Sequence, residues 1–239
     1  MYSESEDYYD EIYSAMDKDY ASEAYKIHEF IQKYKRTKRN TLLDVACGTG
    51  THVGFLSQYY EVSGTDLNSR MLKIARKKHP EIKFVEGDMR SLRLGRQYAA
   101  ITCLFSAIGY MKTKADLRRA IKSMSRHLLP GGVLLVEPWF SEEQWNVGRV
   151  SVNRVEKPDL KIVRMALARK RGKVSLLEFQ YLIGTSKGIQ HLTEHLELGL
   201  FDHREYEDAF TRAGLDVNHD SEGIFGRGLY IGIRPQEQV

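Results

Sequence analysis

Short apolar runs alternate with amphipathic segments along the first 140 residues. The apolar runs that predict buried strands are 42–45, 62–66, 82–85, 98–104 and 133–136. The amphipathic segments between them, which predict helices, are 52–60, 69–78 and 116–128. Strands that alternate with helices at this spacing predict βαβ units and a parallel sheet. Ligands of such sheets bind beyond the carboxyl ends of the strands, so functional residues should directly follow each strand.

The flanking regions follow other patterns. Residues 7–35 have apolar positions at helical spacing and predict one helix before the first strand. Four β-rich stretches with turn signals between them predict a small antiparallel sheet inserted after the fifth strand: 150–155, 161–169, 173–183 and 189–199. A last helix at 203–215 and a strand at 228–233 follow.

The pattern divides the chain into three parts. Residues 1–140 form a helical cap and a cofactor-binding core, 141–200 the β insertion, and 201–239 a helix and strands that complete the core. An insertion that covers one face of a ligand cleft is suited to selecting the acceptor.

The turn after the first strand has the glycines that a close-lying ligand requires. Gly48 and Gly50 stand in this turn, but Val53 occupies the place where a dinucleotide fingerprint has its third glycine. Asp66 ends the second strand and can accept hydrogen bonds from both hydroxyls of a ribose. Asp88 ends the third strand and can accept a bond from an adenine amino group. Two such acids without a diphosphate cradle favour an adenosine cofactor over NAD.

The neighbours of these residues complete the candidate cofactor site. Met89 is placed to pack on the adenine ring, and Met71 has core packing as its alternative. Asp44 is either a ligand of the cofactor or a cap of the turn. The predicted cofactor-binding residues are Asp44, Ala46, Gly48, Gly50, Asp66, Leu67, Met71, Asp88, Met89 and Tyr20.

Four motifs resemble those of class I methyltransferases that use S-adenosylmethionine (SAM). They are LLDVACGTGTH, GTDLNSRMLKIAR, VEGDM and LLPGGVLLVEPW, within residues 40–140. The resemblance implies SAM as the cofactor. It also implies an α/β fold with a Rossmann-like seven-stranded sheet whose terminal strand is reversed.

Other segments resemble a narrower group, the N,N-dimethyltransferases of nucleotide-linked amino sugars. They include SAIGYM, VLLVEPWF, LFDHREYEDAFTRAGL and GRGLYIG, whereas residues 141–190 follow this group only loosely. The resemblance implies N,N-dimethylation of an amino sugar carried on thymidine diphosphate (TDP). Another small-molecule amine or hydroxyl is the alternative acceptor, and a non-catalytic SAM-binding regulatory partner is the alternative from another class.

The resemblance and the positions of single residues supply candidates for the acceptor side. Tyr9 matches an N-terminal tyrosine near the sugar amine, and Tyr110 matches a position after the fourth strand that is His or Tyr in relatives. Both are assigned as catalytic residues that orient the amine, because a phenol is a poor base at neutral pH. Glu137 and Trp139 follow the fifth strand and should border the cleft. Arg227 stands between two glycines and can pair with a diphosphate, with a solvated surface arginine as the alternative.

Charge and composition narrow the choice further. A net charge of +4 is mild for a nucleic-acid binder, and no proline follows Leu104 where base N-methyltransferases commonly have one. Basic residues between Arg154 and Lys173 indicate either a solvated strand face or attraction of an anionic substrate.

Cysteine usage and the apolar runs predict the compartment. Cys47 and Cys103 lack metal-ligand spacing and predict free thiols and no metal. No apolar run reaches the ~20 residues of a membrane span, so we expect a cytoplasmic protein, with a homodimer left open.

Overall fold

The computed structural model describes residues 5–16 and 18–236, and it contains two sheets. In chain order the strands are β1 (Thr41–Val45), β2 (Glu61–Asp66), β3 (Lys83–Glu86), β4 (Tyr98–Cys103), β5 (Leu128–Val136), β6 (Val150–Lys157), β7 (Leu160–Arg171), β8 (Val174–Thr185), β9 (Gly188–Gly199), β10 (Asp216–Asp220) and β11 (Leu229–Ile233). The helices are α1 (Tyr9–Ser14), α2 (Tyr20–Tyr34), α3 (Thr51–Leu56), α4 (Ser69–Lys78), α5 (Lys114–Ser125) and α6 (His203–Arg212). Short 3₁₀ turns cover Glu6–Tyr8 and Ala107–Tyr110.

The larger sheet has seven strands in the order β10-β11-β5-β4-β1-β2-β3. The five strands β1 to β5 pair in parallel, and β11 lies antiparallel to β5. This arrangement confirms the predicted α/β fold with its reversed terminal strand. The chain leaves β1 in opposite directions toward β2 and β4, so the carboxyl ends of β1, β2 and β4 surround the point where ligands bind in such sheets.

The smaller sheet is a four-stranded antiparallel meander of β6, β7, β8 and β9. It follows β5 and precedes α6, where the sequence predicts an insertion. Its inner face forms an apolar cluster with Phe179 and Tyr181, to which Ile12 of α1 contributes and on which Trp139 and Tyr110 pack. This face therefore closes over the carboxyl end of the larger sheet. The division at residues 140 and 200 stays a prediction.

Local capping explains where several helices begin and end. The side chain of Asn68 accepts hydrogen bonds from the backbone of Arg70 and Met71 at the start of α4, as its position predicts. Asp202 and Glu205 form a capping box at the start of α6, and Gly214 takes the left-handed conformation just after that helix.

Two predictions of local structure differ from the structure, and one strand was not predicted. The helix predicted over 7–35 is two helices, because the side chain of Asp19 caps a new start for α2 by accepting from the backbone of Ser22. The fifth strand, predicted at 133–136, begins at Leu128, so residues 129–132 lie inside β5, where the pairing with β4 shifts register and Gly131 has a φ of 73°. The strand β10 was not predicted, since its sequence DVNHD is polar.

No helix of the described residues is both long enough and apolar enough to cross a membrane.

Candidate active site

A cavity of about 930 Å³ lies between the carboxyl ends of the central strands, α1 and the inner face of the smaller sheet. Eleven of the predicted site residues border it: Tyr9, Ala46, Gly48, Asp66, Leu67, Met71, Asp88, Met89, Tyr110, Trp139 and Arg227. The four that do not are Asp44, Gly50, Tyr20 and Glu137. The cavity thus brings the predicted cofactor and acceptor residues into one continuous space.

The turn after β1 is fixed to the end of β2 by one carboxylate. Asp66 Oδ2 accepts from the backbone N–H of Gly48 at 2.8 Å, and Oδ1 accepts from that of Asn68 at 2.8 Å. Burial raises the pKa of Asp66. Gly48 has a φ of 54°, and a Cβ built there would meet no atom within 4 Å. The turn therefore leaves room for a ligand to approach the backbone beside an acceptor suited to a ribose.

Gly50 serves the packing of the turn and does not border the cavity. Its φ is 75°, and a Cβ there would lie 3.1 Å from the Cβ of Ala75 and 3.2 Å from the ring of Phe84. The prediction that Gly50 contacts the cofactor is corrected accordingly: it lets the turn pack closely on α4 and β3.

The carboxylate of Asp88 is paired with the arginine two residues later. Arg90 Nε lies 2.9 Å from Oδ2 and 3.0 Å from Oδ1, and the backbone N–H of Arg90 donates to Oδ1 at 2.8 Å. The hydrogen bonds from the Arg90 side chain lower the pKa of Asp88. Both residues border the cavity. Arg90 was not predicted as a site residue, although its position four residues after the end of β3 could have indicated it.

Two predicted cofactor residues lie away from the cavity. Asp44 is 3% exposed, accepts a hydrogen bond from Thr102 Oγ1 at 2.7 Å, and has its pKa raised by burial to about 6. The ring of Tyr20 packs against His52 with centroids 4.8 Å apart and below the Lys18 ammonium, also at 4.8 Å. Asp44 therefore lies buried against β4, away from the cavity, and Tyr20 packs beside the site without bordering the cavity.

Three tyrosines gather on the acceptor side of the cavity. The rings of Tyr9 and Tyr13 lie 4.6 Å apart, and Tyr110 borders the same cavity. Burial raises the pKa of Tyr9 and of Tyr110 well above the usual value of a phenol, and the neighbouring tyrosines add to the effect. Both phenols therefore stay protonated at neutral pH, which suits them to orient an amine rather than to remove its proton.

Phe105 is a cavity residue that the sequence analysis missed. It follows β4 with a φ of 51°, and Ser106 after it has a φ of 58°. Left-handed backbone at a bulky residue is a genuine outlier and costs about 1–3 kcal/mol. The ring meets Tyr13 edge-on at 4.9 Å and lies 4.2 Å from the Lys18 ammonium. No pattern of residue types indicates such a backbone.

Arg227 and Glu137 form an ion pair at the border of the cavity. Arg227 Nη2 lies 2.8 Å from Glu137 Oε1, and the side chains are 21% and 1% exposed. The guanidinium lies 5.8–5.9 Å from the centroids of four aromatic rings: Phe105, Trp139, Phe140 and Phe225. The alternative of a solvated arginine is therefore wrong. The prediction that Glu137 borders the cleft is also wrong, because its carboxylate lies beneath Arg227.

The inner face of the smaller sheet carries a buried arginine. Arg164 is 4% exposed, donates through Nη2 to Asn153 Oδ1 at 2.8 Å, and lies over the rings of Tyr13 and Phe179. Arg164 belongs to the basic segment between Arg154 and Lys173, for which the sequence indicates either a solvated strand face or attraction of an anionic substrate. Alternation along β7 points this one cation inward, so the segment is only in part a solvated face.

Residues 5–16 and 18–236 bring together no group of three or more His, Cys, Asp or Glu side chains that could hold a metal ion. Independence from metals stays a prediction.

Comparison with known proteins identifies the family. Residues 42–132 match a family model described as a methyltransferase domain. The chain is 38% identical to the dTDP-3-amino-3,4,6-trideoxy-α-D-glucopyranose N,N-dimethyltransferase of Streptomyces venezuelae, over 95% of this chain and 96% of that protein.

Two solved structures are similar along almost the whole chain. The crystal structure of Streptomyces venezuelae DesVI superposes with a TM-score of 0.92 at 37% identity, covering 98% of this chain and all of that one. A SAM-bound amino pentose methyltransferase of Micromonospora echinaspora, involved in calicheamicin biosynthesis, gives 0.87 at 33% identity, covering 98% of both chains.

Proposed function

The chain belongs to the class I SAM-dependent methyltransferases, in the family of the amino-sugar N,N-dimethyltransferases, and from this premise we propose that it dimethylates the amino group of a dTDP-linked sugar. Its substrate is thus a small molecule. The observation that carries the proposal is that Asp66, Asp88, Tyr9 and Tyr110 all border one cavity. The similarity in sequence and fold extends over the acceptor half of this cavity as well as the cofactor half.

The residues at the carboxyl ends of the strands fit SAM. The open backbone at Gly48 gives the cofactor room beside the first turn, and Asp66 offers its carboxylate to the ribose hydroxyls. Met89 and Met71 provide apolar surface for the adenine, next to Asp88. When bound, SAM supplies a methyl group on a sulfonium, which the sugar amine attacks in line.

The protein's contribution to this reaction is alignment. Positive charge passes from sulfur to nitrogen, so the site needs no oxyanion hole, and holding the two reactants in line can supply effective molarities of about 10⁵–10⁸ M. We assign this task to the hydroxyls of Tyr9 and Tyr110. A neutral phenol can accept a hydrogen bond from an N–H of the amine and so direct its lone pair toward the methyl group. The methylated amine must then lose a proton to solvent before the second transfer.

The outer part of the cavity suits the rest of the substrate. Arg227, set among aromatic rings, offers charge to the diphosphate, and Trp139 offers a flat apolar surface to a ring. The Trp139 indole N–H donates to Ser175 Oγ at 2.9 Å, which holds this surface in place.

The proposal is tested with dTDP-3-amino sugars, the matching free amino sugars and SAM. Mass spectrometry should show products with one and then two added methyl groups from the dTDP-linked sugar, and far slower conversion of the free sugar. A wild-type enzyme that ignores every dTDP-amino sugar but methylates a free amine or a hydroxyl would refute the acceptor while leaving methyl transfer intact.

A further inference from the structure

Glu137 is a fully buried carboxylate whose two oxygens have different partners. It directly follows β5, is 0% exposed, and its backbone N–H donates to the carbonyl of Cys103 at 3.0 Å. Oε2 accepts from the backbone N–H of Phe105 at 2.6 Å, and Oε1 accepts from Arg227 Nη2 at 2.8 Å. One side chain therefore joins the loop after β4 to the loop before β11.

The first partner lies in a corner of the backbone, formed by Phe105 and Ser106, whose conformation is unfavourable for residues other than glycine. Phe105 and Ser106 are both left-handed, and neither is glycine. The Ser106 hydroxyl donates to the carbonyl of Pro138 at 2.7 Å, so the loop after β5 holds this corner at two points. The corner sets the position of the Phe105 ring and leads into the turn Ala107–Tyr110, which carries Tyr110.

The second partner is Arg227, whose long side chain must be held in place if its guanidinium is to bind a ligand. Arg227 lies between Gly226 and Gly228, whose φ angles are 76° and 83°. Its Nε is buried and has no hydrogen-bond partner among the described residues. The contact with Glu137 fixes one edge of the guanidinium at the border of the cavity.

We propose that Glu137 is a positioning residue for the acceptor: through its two oxygens it fixes Phe105 and Arg227 together as two walls of one subsite. The proposal rests on the proposed function, because the substrate must be anionic for Arg227 to bind it. Loss of the negative charge of Glu137 would by itself lower the acceptor KM, since removing a carboxylate beside an arginine strengthens the local attraction for a diphosphate. A positioning role of Glu137 and a purely electrostatic effect of its charge therefore predict opposite changes in the acceptor KM.

The test is Glu137→Gln, assayed with a dTDP-amino sugar that the wild-type enzyme methylates. The amide oxygen can still accept from Phe105, but the charge that holds Arg227 is lost. We expect the acceptor KM to rise about tenfold, with a smaller change in kcat and no change in the affinity for S-adenosylhomocysteine. Glu142→Gln is the matched control, because it removes the same charge from an exposed carboxylate that pairs with Lys170, and it should leave both parameters unchanged.

An acceptor KM that falls or stays the same in Glu137→Gln overturns the proposal. In the Arg227→Met background, Glu137→Gln should have no further effect on KM, and an undiminished effect would also refute it. If Glu137→Gln does not fold, Glu137→Asp keeps the charge but cannot reach both partners, and the same rise in KM is required of it. A wild-type enzyme inactive on all dTDP-amino sugars would instead refute the proposed function, before any variant is compared.

Discussion

Tyr9 and Tyr110 are held in their neutral form by burial, and this limits what they can do in catalysis. A base would have to lose its proton in the working pH range, whereas the pKa of both phenols is raised. In the proposed function their hydroxyls orient the amine, so loss of one should weaken alignment without removing a titrating group.

Replacing one phenol tests this assignment. Tyr9→Phe should lower kcat by about tenfold to a hundredfold with a modest change in KM, because the contact is made most closely in the transition state. The apparent pKa values of the pH–rate profile should stay where they are in the wild type. Tyr25→Phe, at a tyrosine that is 52% exposed, is the control. A profile whose rise with pH disappears in Tyr9→Phe would show that the phenol is a base after all.

Asp44 is expected to cost stability rather than bind the cofactor. Burial, the largest cause, raises its pKa from 3.8 to about 6. A carboxyl with a raised pKa contributes stability below the unfolded pKa and loses it as the pH rises through the folded value. The charged form at neutral pH therefore costs about 3 kcal/mol.

Asp44→Asn should remove this cost, because the amide oxygen can still accept from Thr102. We expect its free energy of unfolding to exceed that of the wild type by up to about 3 kcal/mol above pH 7, with the difference fading as the pH falls from about 6 to 4. Urea unfolding across this range measures it, and the exposed Asp159→Asn controls for net charge. A stabilisation that is the same at all pH values, or a large loss of affinity for S-adenosylhomocysteine, would contradict the structural assignment.

Single residues were predictable from sequence where a strand end places them. Asp66, Asp88 and Gly48 follow apolar strands, and a parallel sheet brings such positions to one edge. The ion pair of Glu137 with Arg227 spans ninety residues and depends on tertiary structure, so no local pattern contains it. The positive φ of Phe105 is likewise imposed by the contacts around it.

Among the elements, α1 connects the cofactor turn with the acceptor side. Asp10 Oδ1 accepts from the hydroxyls of Thr49 at 2.6 Å and Thr51 at 3.1 Å, and Oδ2 lies 2.8 Å from Lys78 Nζ. Asp10 directly follows Tyr9. A six-residue helix is not stable alone in water, so α1 depends on these contacts for its position.

Asp10→Ala should therefore loosen α1 at its cofactor end. We expect faster hydrogen exchange of the backbone amides of residues 9–14, a higher KM for SAM and a lower kcat, by about tenfold in kcat/KM. Glu11→Ala is the matched control on the same helix, since Glu11 pairs with Lys157 of the smaller sheet rather than with the turn after β1. Equal effects of the two variants on the KM for SAM would argue against a specific contribution of Asp10.

The elements themselves were predictable where apolar periodicity is strong. The helix predicted at 69–78 coincides with α4, and the four strands of the smaller sheet lie within about two residues of their predicted bounds. The break between α1 and α2 was missed because helix-forming residues continue through it and only the cap at Asp19 marks it. β10 was missed because, as a polar edge strand, it lacks the apolar signal of a buried one.

At the scale of the whole molecule, the cavity lies between the larger and the smaller sheet, and α1 contacts the structure on both sides of it. One face of α1 is tied to the cofactor turn through Asp10, and Ile12 on the same helix is buried in the apolar cluster of the smaller sheet. A ligand on either side should therefore favour the docked position of α1. Binding of the second ligand then has a smaller free-energy cost, because the helix is already ordered. This couples the two sites without direct contact between the ligands.

The coupling can be measured with S-adenosylhomocysteine and dTDP in calorimetric titrations. We expect saturating S-adenosylhomocysteine to tighten dTDP binding by about fivefold or more, and dTDP to tighten S-adenosylhomocysteine by the same factor, as linkage requires. Hydrogen exchange of residues 9–14 should slow with either ligand and slow further with both. Asp10→Ala should reduce the coupling, because it detaches α1 from the cofactor turn while leaving Ile12 in place. Two affinities that are independent of each other, with α1 already protected in the free enzyme, would show that the helix is docked in advance and carries no signal between the sites.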